Sequence, residues 1–440
     1  MLKKIFTGFA AATLFCILSV AHADIAIEHW QTKTGARVYF VPVRALPILD
    51  VHLGFAAGSA FNPAGKAGLS ALTHRLIDLG AGDLDEVDIS NRLADVGAVL
   101  GGGASSDSAS LSLRTLTTPE KQAAALEVFV KVLGQPRFAA DVFAREQARS
   151  IANLKEALTR PDTIAGRAFW PALYPDHPYG VVTTPESLAA LTVEDARQFW
   201  RAHYTAINAT ISIVGDLDRN AAEALAERLA AALPEGNALP TLPAAPVVSE
   251  GKVVRVPHPA SQAHIHLGLP TIARGDPDFF PLLVGNYTLG GGGFVSRLME
   301  EIREKRGYAY SVYSGFSPMK QSGPFSINLQ TKKEQADEAV TLAKKILADF
   351  LREGPQPDEL AAAKAYLIGS FPLNLDSNGK MLAQVANIGF YGLPLDYLTQ
   401  YQERIRAVTS ADIQAAFNRH VQMDKLVEVM VGVASGTPAQ

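Results

Sequence analysis

Residues 191–204 read LTVEDARQFWRAHY and are followed by the apolar run ISIVGD at 211–216; residues 408–421 read VTSADIQAAFNRHV and are followed by VEVMVG at 427–432. The two stretches align with Asp195 over Asp412, His203 over His420 and Gly215 over Gly432. An earlier pair keeps nearly the same shift. TTPEKQAAALEVFVKVL (117–133) lies over TKKEQADEAVTLAKKIL (331–347), matching Glu120 to Glu334 and Lys131 to Lys345. Two independent matches at almost one spacing point to a unit written twice.

Between the copies, PEGNALPTLPAAPVVSEG (234–251) is rich in proline and small residues and carries neither the helical nor the strand period. It reads as a linker. The first domain is therefore expected over residues 24–233 and the second over 252–440. In each copy alternating strands, such as RVYFVPV (37–43) and LDVHLGFAAG (49–58), give way to helices such as AAEALAERLAAAL (221–233). This predicts an α+β fold of two homologous domains, each a mostly antiparallel sheet with helices packed on one face.

The N-terminus, MLKKIFTGFAAATLFCILSVAHAD, places Lys3 and Lys4 before an apolar run from Ile5 to Val20 and an Ala21-His22-Ala23 site. That is the pattern of a secretory signal peptide over residues 1–23, with cleavage expected after Ala23. The apolar run is shorter than the roughly 20 residues a membrane span needs. Export to the periplasm or cell exterior, with no membrane attachment after cleavage, is the expectation. The single cysteine, Cys16, falls in the removed segment, so stability has to come from packed cores, which 48% hydrophobic content can supply. With 40 basic against 44 acidic side chains, a nucleic-acid or anionic-membrane surface is not the expected partner.

The segment GKAGLSALTHRLIDLG (65–80) starts a helix after a glycine-bearing loop. It resembles the GLAHFLEHM-type helix of the insulinase and pitrilysin family of zinc peptidases, whose inverted motif is HxxEH. In that motif two histidines one turn apart bind zinc and the glutamate between them activates water. On this frame the ligand positions are Ala71 and Arg75 and the base position is His74. Alanine offers no lone pair and a guanidinium only donors, so neither coordinates a cation. The family's remaining ligand is a glutamate seven residues after another acid on a later helix. Here FAREQARSIANLKEAL (143–158) has Glu146 at the first position and Asn153 at the ligand position. The resemblance extends through LYPDHPYG (173–180) and YTAINATISIVGD (204–216) and covers nearly the whole chain beyond the signal. It implies no catalytic residue and no zinc bound by this chain.

LGGGGFVSRLMEEIREKRGYAYSVYS (289–314) is the most specific stretch of the second copy. In the family an arginine and a tyrosine seven residues later face the zinc site from the second domain and hold the substrate backbone. Arg303 and Tyr310 have that spacing. Arg303 could donate a forked pair of hydrogen bonds, and Tyr310 its phenol to a carbonyl as charge develops. The run 290–293 lacks the lysine and the spacing of a phosphate loop and reads as a close-approach loop; GGGASS (101–106) reads as a similar loop or bulge. His264 and His266 in SQAHIHLGLP point to one face of a strand, as zinc ligands sometimes do, but have no acidic partner nearby in sequence. His177, between two prolines, reads as a turn residue.

The resemblance implies a non-catalytic, substrate-binding subunit of a heteromeric zinc metallopeptidase, forming a heterodimer with a homologous chain that carries HxxEH and the zinc. Two other readings remain open at this level: an exported peptide-binding or assembly protein with no role in proteolysis, and a zinc peptidase with a rearranged metal site built on His74 or on His264 and His266.

Overall fold

The computed structural model describes residues 26–433, so the expected signal peptide lies outside the described residues. The first half runs β1 (Glu28–Gln31), β2 (Arg37–Pro42), β3 (Ile48–Phe55), α1 (Leu69–Leu76), α2 (Glu86–Asp95), β4 (Val99–Ala104), β5 (Ala109–Leu116), α3 (Pro119–Gly134), α4 (Ala140–Ala157), α5 (Pro161–Leu173), α6 (Pro185–Ala189), α7 (Val193–His203), β6 (Ala209–Gly215) and α8 (Arg219–Ala232). The second half runs β7 (Val253–Val256), β8 (Gln262–Ile272), α9 (Phe279–Asn286), β9 (Ala309–Phe316), β10 (Gly323–Lys332), α10 (Ala336–Glu353), α11 (Pro357–Ser370), α12 (Asn378–Tyr391), α13 (Tyr397–Ala407), α14 (Ser410–His420) and β11 (Val427–Val431).

The duplication is visible in the sheets. The first has the order β1-β2-β6-β3-β5-β4, the second β7-β11-β8-β10-β9, and removing β1 makes the two orders equivalent. Each contains one parallel pair, β2 with β6 and β7 with β11, and is otherwise antiparallel. The stretches that echo each other in sequence do the same physical work. Thr192 caps α7 by accepting from the Asp195 N–H at 3.2 Å while Asp195 accepts from the Thr192 N–H at 2.8 Å. Thr409 and Asp412 repeat that box on α14 at 3.1 and 2.8 Å. Gly215 and Gly432 end the strands that follow, and a Cβ on either would stand 2.5 Å from a carbonyl oxygen at the start of the neighbouring strand, Ile48 or Gln262. Only glycine fits that approach.

Helices of the same half cover one face of each sheet. Val38, Phe40, Val51, Leu53, Ile211 and Ile213 point into the first of these cores, and Ile265, Leu267, Leu269 and Ile327 into the second. The other face of each sheet is covered by a helix from the opposite half, which the sequence did not indicate. The helix α12 lies across β2, β3 and β6, burying Val385 and Ile388 against Tyr39, Val41 and Val214. The helix α5 lies across β8 and β11, burying Ala165, Phe169 and Leu173 against Val427, Val429 and Val431. Residues 234–251 contain no helix or strand, yet they are packed: Leu242 is buried in this last core and its carbonyl accepts from Gln321 Nε2 at 3.0 Å.

Phe169 is buried and stacks on His266 with ring centroids 5.3 Å apart. Phe169→Ala is expected to destabilise the protein by about 3 kcal/mol or more, read as a lower urea midpoint. On the other exchanged face, burial lowers the His52 pKa from 6.5 to about 4. The unfolded chain therefore takes up this proton first as pH falls. Stability from the neutral ring is complete above about pH 6.5 and is lost toward pH 4, by up to about 3 kcal/mol. Denaturation midpoints measured across that range should fall less steeply in His52→Gln.

Candidate functional site

The helix α1 and the helix α4 pack against each other and, with the outer strand β4, enclose a cavity of about 730 Å³. Ala71, His74 and Arg75 all line it, so the three motif positions face one space. Glu146 enters from α4 and is 3% exposed. Its carboxylate is held by Arg145 Nε at 3.1 Å, and Arg75 Nη1 stands 3.8 Å away. Arg145 also grips Glu86 of α2 with both terminal nitrogens, at 2.9 and 2.6 Å. These bonds, to Glu86 first and then Glu146, raise the Arg145 pKa. Burial, reinforced by the Arg75 charge, lowers that of His74, whose Nδ1 is buried without a partner among the described residues. Asp78, one turn beyond Arg75, is raised by burial and further by Glu146 and Glu86.

Asn153 is exposed and does not line this cavity. It lies two turns along α4 from Glu146, roughly 10 Å at 1.5 Å per residue. The residues present therefore do not suit a zinc ion: one position has no donor atom, one is cationic, the third is outside the cavity, and the single buried carboxylate is already paired with guanidinium. Sequence spacing alone did not bring Asp78, Glu86, Arg145 or Arg149 to this place. Arg149 could have been found from its i,i+3 relation to Glu146. Glu86 and Arg145 are 59 residues apart and carry no local signal.

Arg303 and Tyr310 lie in the second unit and share no cavity lining with Ala71, His74 and Arg75. They do meet each other. Arg303 sits in a π-helical turn over Met299–Glu304, with its guanidinium 4.5 Å from the Phe294 ring centre and 5.1 Å from that of Tyr310. The strand β9 is the outer strand of its sheet, and Tyr310 is an extra residue in it: Ala309 pairs with Thr331 and Ser311 with Gln330. This bulge turns the tyrosine outward. Its 81% exposure, with Phe294 at 65% and Val295 at 70%, makes an open aromatic surface around one arginine. The glycine run behaves as a close-approach segment, since a Cβ on Gly290 would lie 2.7 Å from the Ser314 nitrogen of β9. GGGASS, in contrast, forms most of β4, the outer strand of the first sheet, whose glycines line the cavity.

His264 and His266 share the strand face covered by α5. His266 bonds Asn328 and stacks on Phe169, and neither belongs to a group of three potential metal ligands among the described residues. The group that does exist, Asp276, Asp278 and His420, is engaged internally, with His420 Nε2 at 2.8 Å from Asp278 and Arg419 on the same carboxylate. His177 accepts from the Tyr179 N–H at 3.1 Å and donates to the Pro243 carbonyl at 3.0 Å, tying its turn to residues 234–251.

These features define a duplicated α+β shell in which the cavity between α1 and α4 presents no side-chain set suited to zinc. The chain belongs to the peptidase M16 family, as a non-catalytic member. Residues 190–367 match the family described as "Peptidase M16 inactive domain". The crystal structure of a peptidase M16 inactive domain from Pseudomonas fluorescens is 37% identical, superposes with a TM-score of 0.89, and is covered over 100% of its length by 94% of this chain. The non-peptidase homolog YmxG of Helicobacter pylori is 26% identical over 98% of this chain and 97% of its own. The periplasmic protease PqqL of Escherichia coli shares the fold at a TM-score of 0.80 and 18% identity; this chain covers 49% of its length.

Removing Arg145 would leave Glu146 buried with only the more distant Arg75. Arg145→Met is therefore expected to lower the denaturation midpoint more than Arg75→Met, which should change stability by less than about 1 kcal/mol, both read by chemical denaturation.

Proposed function

We propose that this protein is the non-catalytic, substrate-binding subunit of a heteromeric zinc metallopeptidase that acts on peptides in the periplasm. The observation that carries the reading is Tyr310, exposed on the outer strand β9, with the half-buried Arg303 of the preceding helical turn beside its ring, in a chain whose motif positions hold alanine, arginine and asparagine. An extended peptide can hydrogen-bond to an outer strand as an added strand, and both β4 and β9 are outer strands. Beside β9, Arg303 is positioned to donate to a peptide carbonyl and Tyr310 to the oxygen on which charge develops. The pair and the degenerate cavity lie on different units, which favours completion of the site by a second chain carrying HxxEH, zinc and the base. The N-terminal signal pattern supports an exported location, and among the described residues no helix is long and apolar enough to cross a membrane.

The test combines metal analysis of the purified chain with cleavage of an unstructured peptide pool, alone and with an HxxEH-bearing homologue from the same genome. The chain alone is expected to hold no stoichiometric zinc and to cut nothing. The mixture should cut, with Tyr310→Phe lowering kcat by about a hundredfold and Arg303→Ala also lowering activity. Stoichiometric zinc with chelator-sensitive cleavage by the chain alone overturns the proposal. Peptide binding with no cleavage in any mixture favours a binding protein outside proteolysis.

A further inference from the structure

The cavity between α1, α4 and β4 contains three arginines, and they are not equivalent. Arg145 is committed, with three hydrogen bonds to Glu86 and Glu146. Arg75 makes no hydrogen bond among the described residues and only the 3.8 Å approach to Glu146, with 47% of its side chain exposed. Arg149 is exposed, lines the same cavity, and makes no hydrogen bond or ion pair among the described residues. Two guanidiniums thus present unused donors to one space of about 730 Å³. Of the acids there, Glu86 and Glu146 are already taken by Arg145, and Asp78 is the one carboxyl without a cation on it among the described residues. Burial and the two neighbouring acids raise the Asp78 pKa. Even with Asp78 ionised, two uncommitted guanidiniums face one uncommitted carboxylate, so the uncommitted charge in the cavity is positive.

We infer that this cavity is a carboxylate-binding site, in which Arg75 and Arg149 receive an acidic group of a peptide lying along β4. The cavity carries fixed guanidinium charge, and what that charge can bind is an anion with planar acceptor geometry. The wall formed by β4 carries glycine at 101–103, so a peptide backbone can come close to that outer strand and extend a carboxylate inward. The carboxylate is either the C-terminus of the peptide or an aspartate or glutamate side chain. The inference rests on the peptide-holding reading for its ligand, but its chemistry rests on the cavity alone.

The first experiment needs no peptide. Phenylglyoxal modifies accessible arginines, and mass spectrometry reads the rate at each one. Glutarate at several times its dissociation constant should slow modification of Arg75 and Arg149 by about fivefold, following 1 + [L]/Kd. Glutaramide should not, and Arg352, which is exposed on α10, should be unaffected by either. In a second experiment, labelled decapeptides of one neutral sequence are compared as C-terminal acid or amide, each with or without one internal glutamate. The charged forms should bind about tenfold more tightly, and the acid and glutamate arms separate the two carboxylate sources. The preference should disappear in Arg75→Met and in Arg149→Met; the latter removes no internal partner and so leaves the fold intact. Arg303→Ala should weaken all four peptides alike. Glutarate that protects no better than glutaramide, or a peptide preference that survives both substitutions, overturns the inference. Glutarate protection without binding of any peptide strikes instead at the Arg303–Tyr310 reading.

Discussion

Each sheet of this protein has two apolar faces, and the helices of its own half cover only one. The exchange of α5 and α12 is the solution, and the relative position of the two units depends on it. Phe169 reaches into the second sheet so closely that a Cβ on Gly268 would stand 2.9 Å from its ring, and Gly389 of α12 approaches Tyr39 and Thr210 of the first sheet at 2.7 Å by the same measure. The exchange is reinforced by a buried carboxylate. Asp107, in the β4–β5 turn, accepts from Tyr179 of its own half and from the Lys320 N–H at 2.8 Å and the Tyr391 hydroxyl at 3.1 Å in the other. A buried acid satisfied from both sides resists any sliding of one unit over the other, since movement would strip it of partners.

The same constraint of buried charge shapes the cavity between α1 and α4. Glu146 is too buried to stand alone as a charge, and it is retained because Arg145 bonds it and Arg75 faces it. Arg75 does more than fail to offer a ligand atom. It keeps a positive charge opposite the buried carboxylate, so α1 and α4 still have an electrostatic reason to stay together.

In the second unit the emphasis is reversed. Arg303 has few rigid polar partners: Glu304 stands at 3.5 Å, and the main restraints are the rings of Phe294 and Tyr310. Aromatic faces hold a guanidinium in place without consuming its hydrogen-bond donors. The arginine is oriented and remains free to bind, on a strand whose bulge opens its tyrosine to the exterior.

Local patterns carried much of this into the sequence. The strand and helix periods and the matched positions Asp195 and Asp412, His203 and His420, and Gly215 and Gly432 made the duplicated α+β organisation legible, because each depends on residues within a few positions of one another. That Ala71 and Arg75 do not suit a cation was legible for a simpler reason: neither side chain has a lone pair to donate, whatever surrounds it. Other features had no local signature. The apolar faces of α5 and α12 declare that something must cover a sheet, but not which sheet. Whether Tyr310 faces outward depended on its register against β10, and one partner of Arg145, Glu86, on a helix 59 residues away. Sequence by itself determined which chemistry the side chains can and cannot perform and which faces must be buried. Tertiary structure decided which faces meet and which charges are left unpaired, because those outcomes are set by packing between segments far apart in the chain.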